Sequence, residues 1–237
     1  MEIHDLKIDI FADGADLQAM IDMASKEFIK GLTTNPTLMR RAGINNYRDF
    51  ALQVLDAIKY KPVSFEVFSD DIEEMRIQAL EIARWGDNVN VKIPVTNSRG
   101  LSTTKLIKSL SNEGIKLNVT ALMTTQQVCE VFEVLNSSVS SFISVFAGRI
   151  ADTGRDPIPI MQTSLEIIST NRNVQLIWAS PRELLNIIQA NEIGCHVITA
   201  TSDILNKLEL IGKDLTEYSL ETVLMFRKDA ISSGYQI

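Results

Sequence analysis

The segment Asn88-Val-Asn-Val-Lys-Ile-Pro-Val-Thr96 places a lysine, Lys92, in the middle of an apolar run. Burying an unpaired ammonium group is costly, so an amine held in such a strand is pushed toward its neutral form. A neutral lysine is a nucleophile for carbonyl groups, which makes Schiff-base chemistry the first hypothesis. The alternative is a structural lysine whose stem lies along the strand while its head reaches water or a carboxylate.

Further polar residues lie late in other apolar runs, where they could act together with this lysine. They are two carboxylates, several amides and hydroxyls, and two arginines: Asp13, Thr33, Thr34, Asn35, Glu66, Asn118, Thr120, Ser144, Arg149, Ser180 and Arg182. Carboxylates can serve as acid and base, amides and hydroxyls can hold a polyol, and arginine forks suit phosphate. A single such residue is commonly a satisfied core group, and a lone arginine is commonly a surface ion-pair partner. If a whole series of such residues in successive strands were only structural, the barrel would contain a large buried polar network without a purpose. A functional site is therefore favoured.

Eight short runs rich in Val, Ile and Phe recur along the chain with helical segments between them. The predicted strands are Lys7 to Asp13, Ile29 to Asn35, Val63 to Phe68, Asn88 to Thr96, Lys116 to Leu122, Ser141 to Gly148, Val174 to Ser180 and Cys195 to Thr201. Eight βα units without a linker predict an α/β fold, a single (β/α)8 TIM barrel over residues 1–237, with its site at the carboxyl ends of the strands. A doubly wound open sheet is the alternative, but it normally has a Gly-rich first turn that Asp13-Gly-Ala-Asp16 does not provide.

The sequence predicts where one helix begins and that an additional helix lies at the C-terminus. Ser180 followed by Pro181 is typical of a helix start, with the proline suited to the first helical position. The segment 216–234 is surplus to eight βα units and predicts an extra C-terminal helix, whose apolar residues include Leu220, Val223 and Leu224. We expect that helix to pack on the barrel or on a neighbouring subunit.

Composition limits the classes of partner. Of the 237 residues, 45% are hydrophobic and 22% charged, and the formal net charge of −7 argues against non-specific nucleic-acid binding. The two cysteines, Cys129 and Cys195, suggest neither a disulfide framework nor a metal site. The amino terminus has no basic leader before an apolar run, and no apolar stretch approaches the ~18 residues that span a bilayer. The expectation is a cytoplasmic protein without nucleic-acid or membrane partners.

Several segments resemble the signature segments of transaldolases. They are Gly31-Leu-Thr-Thr-Asn-Pro-Thr37, Val91-Lys-Ile-Pro-Val-Thr96, Leu117-Asn-Val-Thr120, Ser144-Val-Phe-Ala-Gly-Arg-Ile-Ala-Asp152 and Ala179-Ser-Pro-Arg182. The resemblance runs in order from about Lys7 to Leu210. It implies an (α/β)8 barrel and a class I aldolase mechanism that uses no cofactor and no metal. It also implies transfer of a dihydroxyacetone unit from fructose 6-phosphate to erythrose 4-phosphate in the non-oxidative pentose phosphate pathway.

The resemblance also implies roles for individual residues. Lys92 matches the Schiff-base lysine, Asp13 the general acid/base, and Glu66 with Thr120 the pair that orders a catalytic water. The residues that match substrate-binding positions, Arg149 and Arg182 among them for the phosphate, are Asn35, Asn118, Ser144, Phe146, Arg149, Ser180 and Arg182.

The short chain is similar to the compact branch of the family, which leaves two readings of the activity open. That branch also contains fructose-6-phosphate aldolases, which release free dihydroxyacetone and typically carry Gln where Glu66 stands and Tyr where Phe146 stands. Both positions here favour a transaldolase. The compact branch also tends to form pentamers or decamers, so the resemblance implies a homo-oligomer. A barrel retained for a non-catalytic binding or assembly role is the remaining reading.

Overall fold

The computed structural model describes residues 3–236 and contains eight parallel strands that close into one barrel, with β1 paired to both β2 and β8. The strands are β1 Asp9–Asp13, β2 Ile29–Thr33, β3 Val63–Glu66, β4 Val89–Pro94, β5 Leu117–Leu122, β6 Ser141–Val145, β7 Val174–Trp178 and β8 Val197–Thr201. All eight predicted strands are present in the predicted order. The (β/α)8 barrel is confirmed, and the closed sheet excludes the open-sheet alternative.

Helices follow every strand and enclose the barrel. They are α1 Leu17–Ser25, α2 Pro36–Arg41, α3 Tyr47–Ala57, α4 Ile72–Ala83, α5 Thr104–Asn112, α6 Thr125–Phe132, α7 Ala147–Ala151, α8 Ile158–Ile168, α9 Leu185–Glu192, α10 Ser202–Leu205 and α11 Leu215–Ser233, with short 3₁₀ turns at Ile3–Asp5 and Leu208–Leu210. Except in α11, the apolar faces of the helices pack on the outside of the strands; in α5, for example, Leu106, Ile107 and Leu110 are buried.

Several strands end earlier than predicted, because the chain turns where a cap can form. β2 stops at Thr33, and Asn35 is instead the N-cap of α2, where its side chain accepts a 3.0 Å hydrogen bond from the Leu38 N–H. The predicted helix start at Ser180 is wrong. α9 begins at Leu185, and Ser180 adopts a left-handed backbone with φ of 60°.

The turn at Ser180 packs against α7, and the point of contact on α7 has room for glycine alone. A Cβ atom added to Gly148 on α7 would lie 1.6 Å from the Ser180 carbonyl oxygen. Only glycine permits this approach of α7 to the end of β7. The close approach also places Gly148 beside Arg182, which follows β7, because the added Cβ atom would lie 3.3 Å from Nε of Arg182.

The barrel interior is arranged in an apolar layer and a polar layer above it. Phe11, Phe142, Ile177, Ala179 and Val197 form a buried cluster separate from the main core, and the rings of Phe11 and Phe142 meet edge to face at 5.6 Å. Residues two apart on a strand point to the same face. The residues two positions after members of this cluster therefore also point into the barrel, closer to the carboxyl ends of the strands. Asp13, Ser144 and Thr199 follow Phe11, Phe142 and Val197 in this way.

Helix α11 matches the predicted C-terminal helix within one residue at each end, but none of its residues is buried within the chain. Leu220, Val223, Leu224 and Phe226 are each more than half exposed. None of the helices in residues 3–236 is both long enough and apolar enough to cross a membrane.

Candidate active site

A cavity of about 640 Å³ opens at the carboxyl ends of the barrel strands. The eleven residues to which the family resemblance gives roles all line it: Asp13, Asn35, Glu66, Lys92, Asn118, Thr120, Ser144, Phe146, Arg149, Ser180 and Arg182. Of the two other polar candidates, Thr33 also lines the cavity and Thr34 does not. They come from seven successive strands and from the turns that follow them. The fold therefore brings together residues that are up to 169 positions apart in the sequence, from Asp13 to Arg182.

Lys92 projects into this cavity from β4 and is only 6% exposed. Its Nζ atom lies 3.2 Å from Oε2 of Glu66 and donates a hydrogen bond to the Thr34 carbonyl oxygen at 3.1 Å. The register of the sheet causes the first contact, because Glu66, Lys92 and Asn118 are direct partners on β3, β4 and β5. The amine is thus paired with a carboxylate, an arrangement that suits a structural lysine and a reactive one alike.

Asp13 lies across the cavity at the end of β1 and is in turn held by a hydroxyl group. Its Oδ1 atom accepts a 2.7 Å hydrogen bond from Thr33, its register partner on β2. Burial raises the pKa of Asp13, while attraction to Lys92 and the hydrogen bond from Thr33 act in the opposite direction. A raised pKa makes a carboxylate a stronger base, which suits a group that exchanges protons with a substrate.

Amide and hydroxyl groups line the cavity wall between β3 and β6. Ser144 donates a 2.7 Å hydrogen bond to Oδ1 of Asn118, which donates through Nδ2 to Ser64 at 3.1 Å. The Thr120 hydroxyl is buried and has no hydrogen-bond partner within residues 3–236. It precedes Ala121, whose left-handed φ of 65° coincides with an irregularity in the β5–β6 ladder. Such a bulge re-aims side chains beside a site.

The two arginines lie at one side of the cavity mouth and differ in their contacts. Arg182 pairs with Asp152 through two nitrogen atoms, with Nε 2.9 Å from Oδ1 and Nη2 against Oδ2. Hydrogen bonding to Arg182, followed by attraction to Arg182 and Arg149, lowers the pKa of Asp152. Arg149 is exposed and one turn before Asp152 on α7. One carboxylate therefore faces two guanidinium groups, which leaves positive charge for an anion.

The cavity also contains residues that the sequence analysis missed. Thr199, Thr201 and Asp203 line it from β8 and α10, and Arg41 lines it from α2. The alternation Ile198-Thr199-Ala200-Thr201 is the pattern of a strand with one polar face, and it could have identified the two threonines. Within residues 3–236, no group of three or more His, Cys, Asp or Glu side chains could hold a metal ion.

The arrangement has the parts for carbonyl chemistry on a polyol with an anionic end. A buried amine, two carboxylates and an unpaired hydroxyl surround the centre, amides and hydroxyls line the wall, and two arginines lie at the rim. The amine can attack a carbonyl, and the carboxylates can move protons. These are chemical capacities of the groups present.

Comparisons with known proteins agree with this chemistry. The family model described as Transaldolase/Fructose-6-phosphate aldolase matches residues 10–233. A probable transaldolase of Herpetosiphon aurantiacus is 32% identical, with 91% of this chain and 93% of the relative covered. A probable transaldolase of Thermoanaerobacter sp. is 31% identical, with 96% of this chain and 99% of the relative covered.

Solved structures of distant sequence share the fold. A structure described as native KDPGal has a TM-score of 0.56 at 10% identity and covers 83% of this chain and 84% of its own. At that identity the likeness concerns the fold alone. Sequence likeness along nearly the whole chain is what assigns the family: the chain belongs to the transaldolase/fructose-6-phosphate aldolase family.

Proposed function

We propose that this protein is a transaldolase that carries a dihydroxyacetone unit on Lys92 from a ketose phosphate, fructose 6-phosphate or sedoheptulose 7-phosphate, to an aldose phosphate. The observation that carries the proposal is the position of the Lys92 amine, buried in the barrel 3.2 Å from Glu66 and in the same cavity as Asp13. A nucleophilic lysine, a proton acceptor beside it and a second carboxyl group are the parts that an imine mechanism requires.

The first half of the proposed reaction forms an imine and then breaks a carbon–carbon bond. Glu66 takes a proton from Lys92, and the neutral amine adds to the C2 carbonyl, whose oxygen leaves as water. Asp13 then removes the proton of the C4 hydroxyl, and the C3–C4 bond breaks as its electron pair moves into the iminium. An aldose phosphate leaves, and a neutral enamine remains bonded to Lys92.

The second half reverses these steps with a different aldehyde. The enamine carbon attacks the acceptor carbonyl, and Asp13 returns its proton to the new hydroxyl group. Water then adds to the imine and releases the product ketose. The unpaired Thr120 hydroxyl and the Glu66 carboxylate, which contacts Lys92, support their proposed role in holding that water.

Substrate recognition is proposed to divide between the cavity wall and its rim. Asn35, Asn118 and Ser144 offer amide and hydroxyl groups to the sugar hydroxyls. Arg149 and Arg182, together with Ser180, bind the phosphate. Because Asp152 already holds Arg182 through two of its nitrogen atoms, the guanidinium group is oriented before the substrate arrives.

Free aldolase activity is the alternative, and two residues weigh against it. Fructose-6-phosphate aldolases that resemble this chain typically carry Tyr where Phe146 stands and Gln where Glu66 stands. Phe146 lines the cavity between β6 and α7, and its ring has no proton to give to the enamine. We therefore propose that the enamine is retained until an aldehyde arrives.

We also propose that the reaction belongs to the non-oxidative pentose phosphate pathway and that the protein is located in the cytoplasm.

We further propose that α11 packs on a second copy of this chain in a homo-oligomer, of which a pentamer or a decamer is the expected form. The support is the row of exposed apolar side chains at Leu220, Val223 and Leu224, since a free helix rarely leaves so much apolar surface in water.

The transferase assignment predicts a dependence on acceptor. Consumption of fructose 6-phosphate should be fast with erythrose 4-phosphate present and slow without it. Phe146→Tyr should raise release of free dihydroxyacetone relative to transfer, because the added phenol supplies a proton donor. Coupling to glycerol dehydrogenase measures the released dihydroxyacetone, and chromatography of the sedoheptulose 7-phosphate formed in the same reaction measures transfer. Wild-type release as fast as transfer would show that the protein is an aldolase.

Arg182→Ala is predicted to raise KM for fructose 6-phosphate by about ten- to a hundredfold, the value of one charge-assisted contact. The KM for unphosphorylated fructose should change little. Arg172→Ala is the matched control, because Arg172 is exposed and precedes β7 at the opposite end of the barrel. Equal losses on both substrates would assign Arg182 a structural role.

The proposed assembly predicts an oligomer by sedimentation velocity at micromolar concentration. Leu220→Glu combined with Leu224→Glu should shift the protein to smaller species, since two charges would enter an apolar contact. Asp229→Ala, on the opposite face of α11, should leave the assembly unchanged. A monomeric wild type would refute the proposed homo-oligomer.

A further inference from the structure

A chain of hydroxyl groups supports Asp13 from two neighbouring strands. Thr33 on β2 donates to Oδ1 of Asp13 at 2.7 Å, and its Oγ1 atom lies 2.6 Å from Oγ1 of Thr199 on β8. Thr33 is 2% exposed and Thr199 is 7% exposed. Both strands pair with β1, which carries Asp13. The three side chains thus form one continuous hydrogen-bonded row across three strands.

The direction of this row depends on the ionisation of Asp13. A hydroxyl group has one hydrogen to donate, and an ionised carboxylate can only accept. While Asp13 is ionised, Thr33 must therefore donate to it, and Thr199 must then donate to Thr33. Each bond polarises the next one, so the distant hydroxyl strengthens the bond that Asp13 receives.

We propose that Thr33 is a positioning residue that holds Asp13 in its ionised form and in one orientation, and that Thr199 supports Thr33 in that role. The inference rests on the proposed function, in which Asp13 must be ionised to remove the C4 hydroxyl proton. It gives a role to Thr33, which is buried, and to Thr199 on β8; neither residue takes part in the catalytic steps proposed above.

Other charges act on Asp13 and set the background for this effect. Lys92 on β4 attracts the ionised form, and Glu66 on β3 repels it. Asp203 on α10 and Arg41 on α2 line the same cavity, and Asp16 caps α1 three residues after Asp13. Burial raises the pKa of Asp13, and the Thr33 hydrogen bond is one of the two influences that lower it. Removing this bond should therefore raise that pKa further.

The test is the pH dependence of kcat/KM for fructose 6-phosphate, measured with erythrose 4-phosphate present. A base with a raised pKa is ionised only at higher pH, so Thr33→Val should move the acidic limb upward. The expected shift is about one pH unit, which corresponds to a tenfold change in the ionisation equilibrium. Thr199→Val should move the limb in the same direction by less, because Thr33 can still donate to Asp13.

Thr34→Val is the matched control. Thr34 is adjacent in sequence and equally buried, but its hydroxyl has no hydrogen-bond partner in the described part of the chain. The acidic limb of this variant should stay at its wild-type position, whatever its rate. Thr33→Ser restores a hydroxyl and should also keep the wild-type limb, which separates loss of the hydrogen bond from a change in packing.

The outcomes distinguish this inference from the function on which it rests. A wild type without transfer activity, or an Asp13→Asn variant as fast as wild type, would refute the proposed function. An inactive Asp13→Asn together with a Thr33→Val limb at the Thr34→Val position would refute the inference alone. If Thr33→Val does not fold, Thr199→Val decides: an upward shift supports the row of hydroxyl groups, and an unmoved limb overturns it.

Discussion

The site depends on how a lysine amine is kept inside a closed barrel. An ionised group taken out of water without a partner costs several kcal/mol even after relaxation, on the order of the whole stability of a domain. The sheet register offsets this cost, because it places Glu66 beside Lys92 on the neighbouring strand. The Thr34 carbonyl is a second contact of the amine. The same pair supplies the proton acceptor that the proposed nucleophile requires. Stability and reactivity therefore rest on one contact.

The layered interior makes this contact possible. Phe11, Phe142 and Ile177 fill the barrel beneath the polar layer and exclude water from below. Strand alternation then directs Asp13 and Ser144 toward the end of the barrel where the cavity opens. An apolar floor also lowers the local dielectric constant, which strengthens each hydrogen bond and charge interaction above it. The hydroxyl row from Thr199 to Asp13 is one result of this arrangement.

Much of the fold could be predicted from the sequence because it depends on periodic burial. Eight apolar runs gave eight strands in order, and polar residues late in those runs lie together because parallel strands end at one face of a barrel. The turns could not be predicted in this way. Ser180 reads as a helix start beside Pro181, yet it adopts a left-handed conformation because α7 passes against it at Gly148. That contact joins residues 32 positions apart. The Arg182–Asp152 pair and the Thr33–Thr199 contact are likewise tertiary, and the roles of the site residues stay predictions.

Covalent capture would show most directly whether the Lys92 amine forms the proposed imine. The protein would be incubated with fructose 6-phosphate, reduced with borohydride and digested, and the modified peptide would be identified by mass spectrometry. We expect a reduced three-carbon unit on the peptide that contains Lys92. Less of it should form when erythrose 4-phosphate is added before the borohydride, because transfer to the acceptor removes the three-carbon unit from the lysine. A modification on a different lysine, or on none, would show that Lys92 is not the nucleophile.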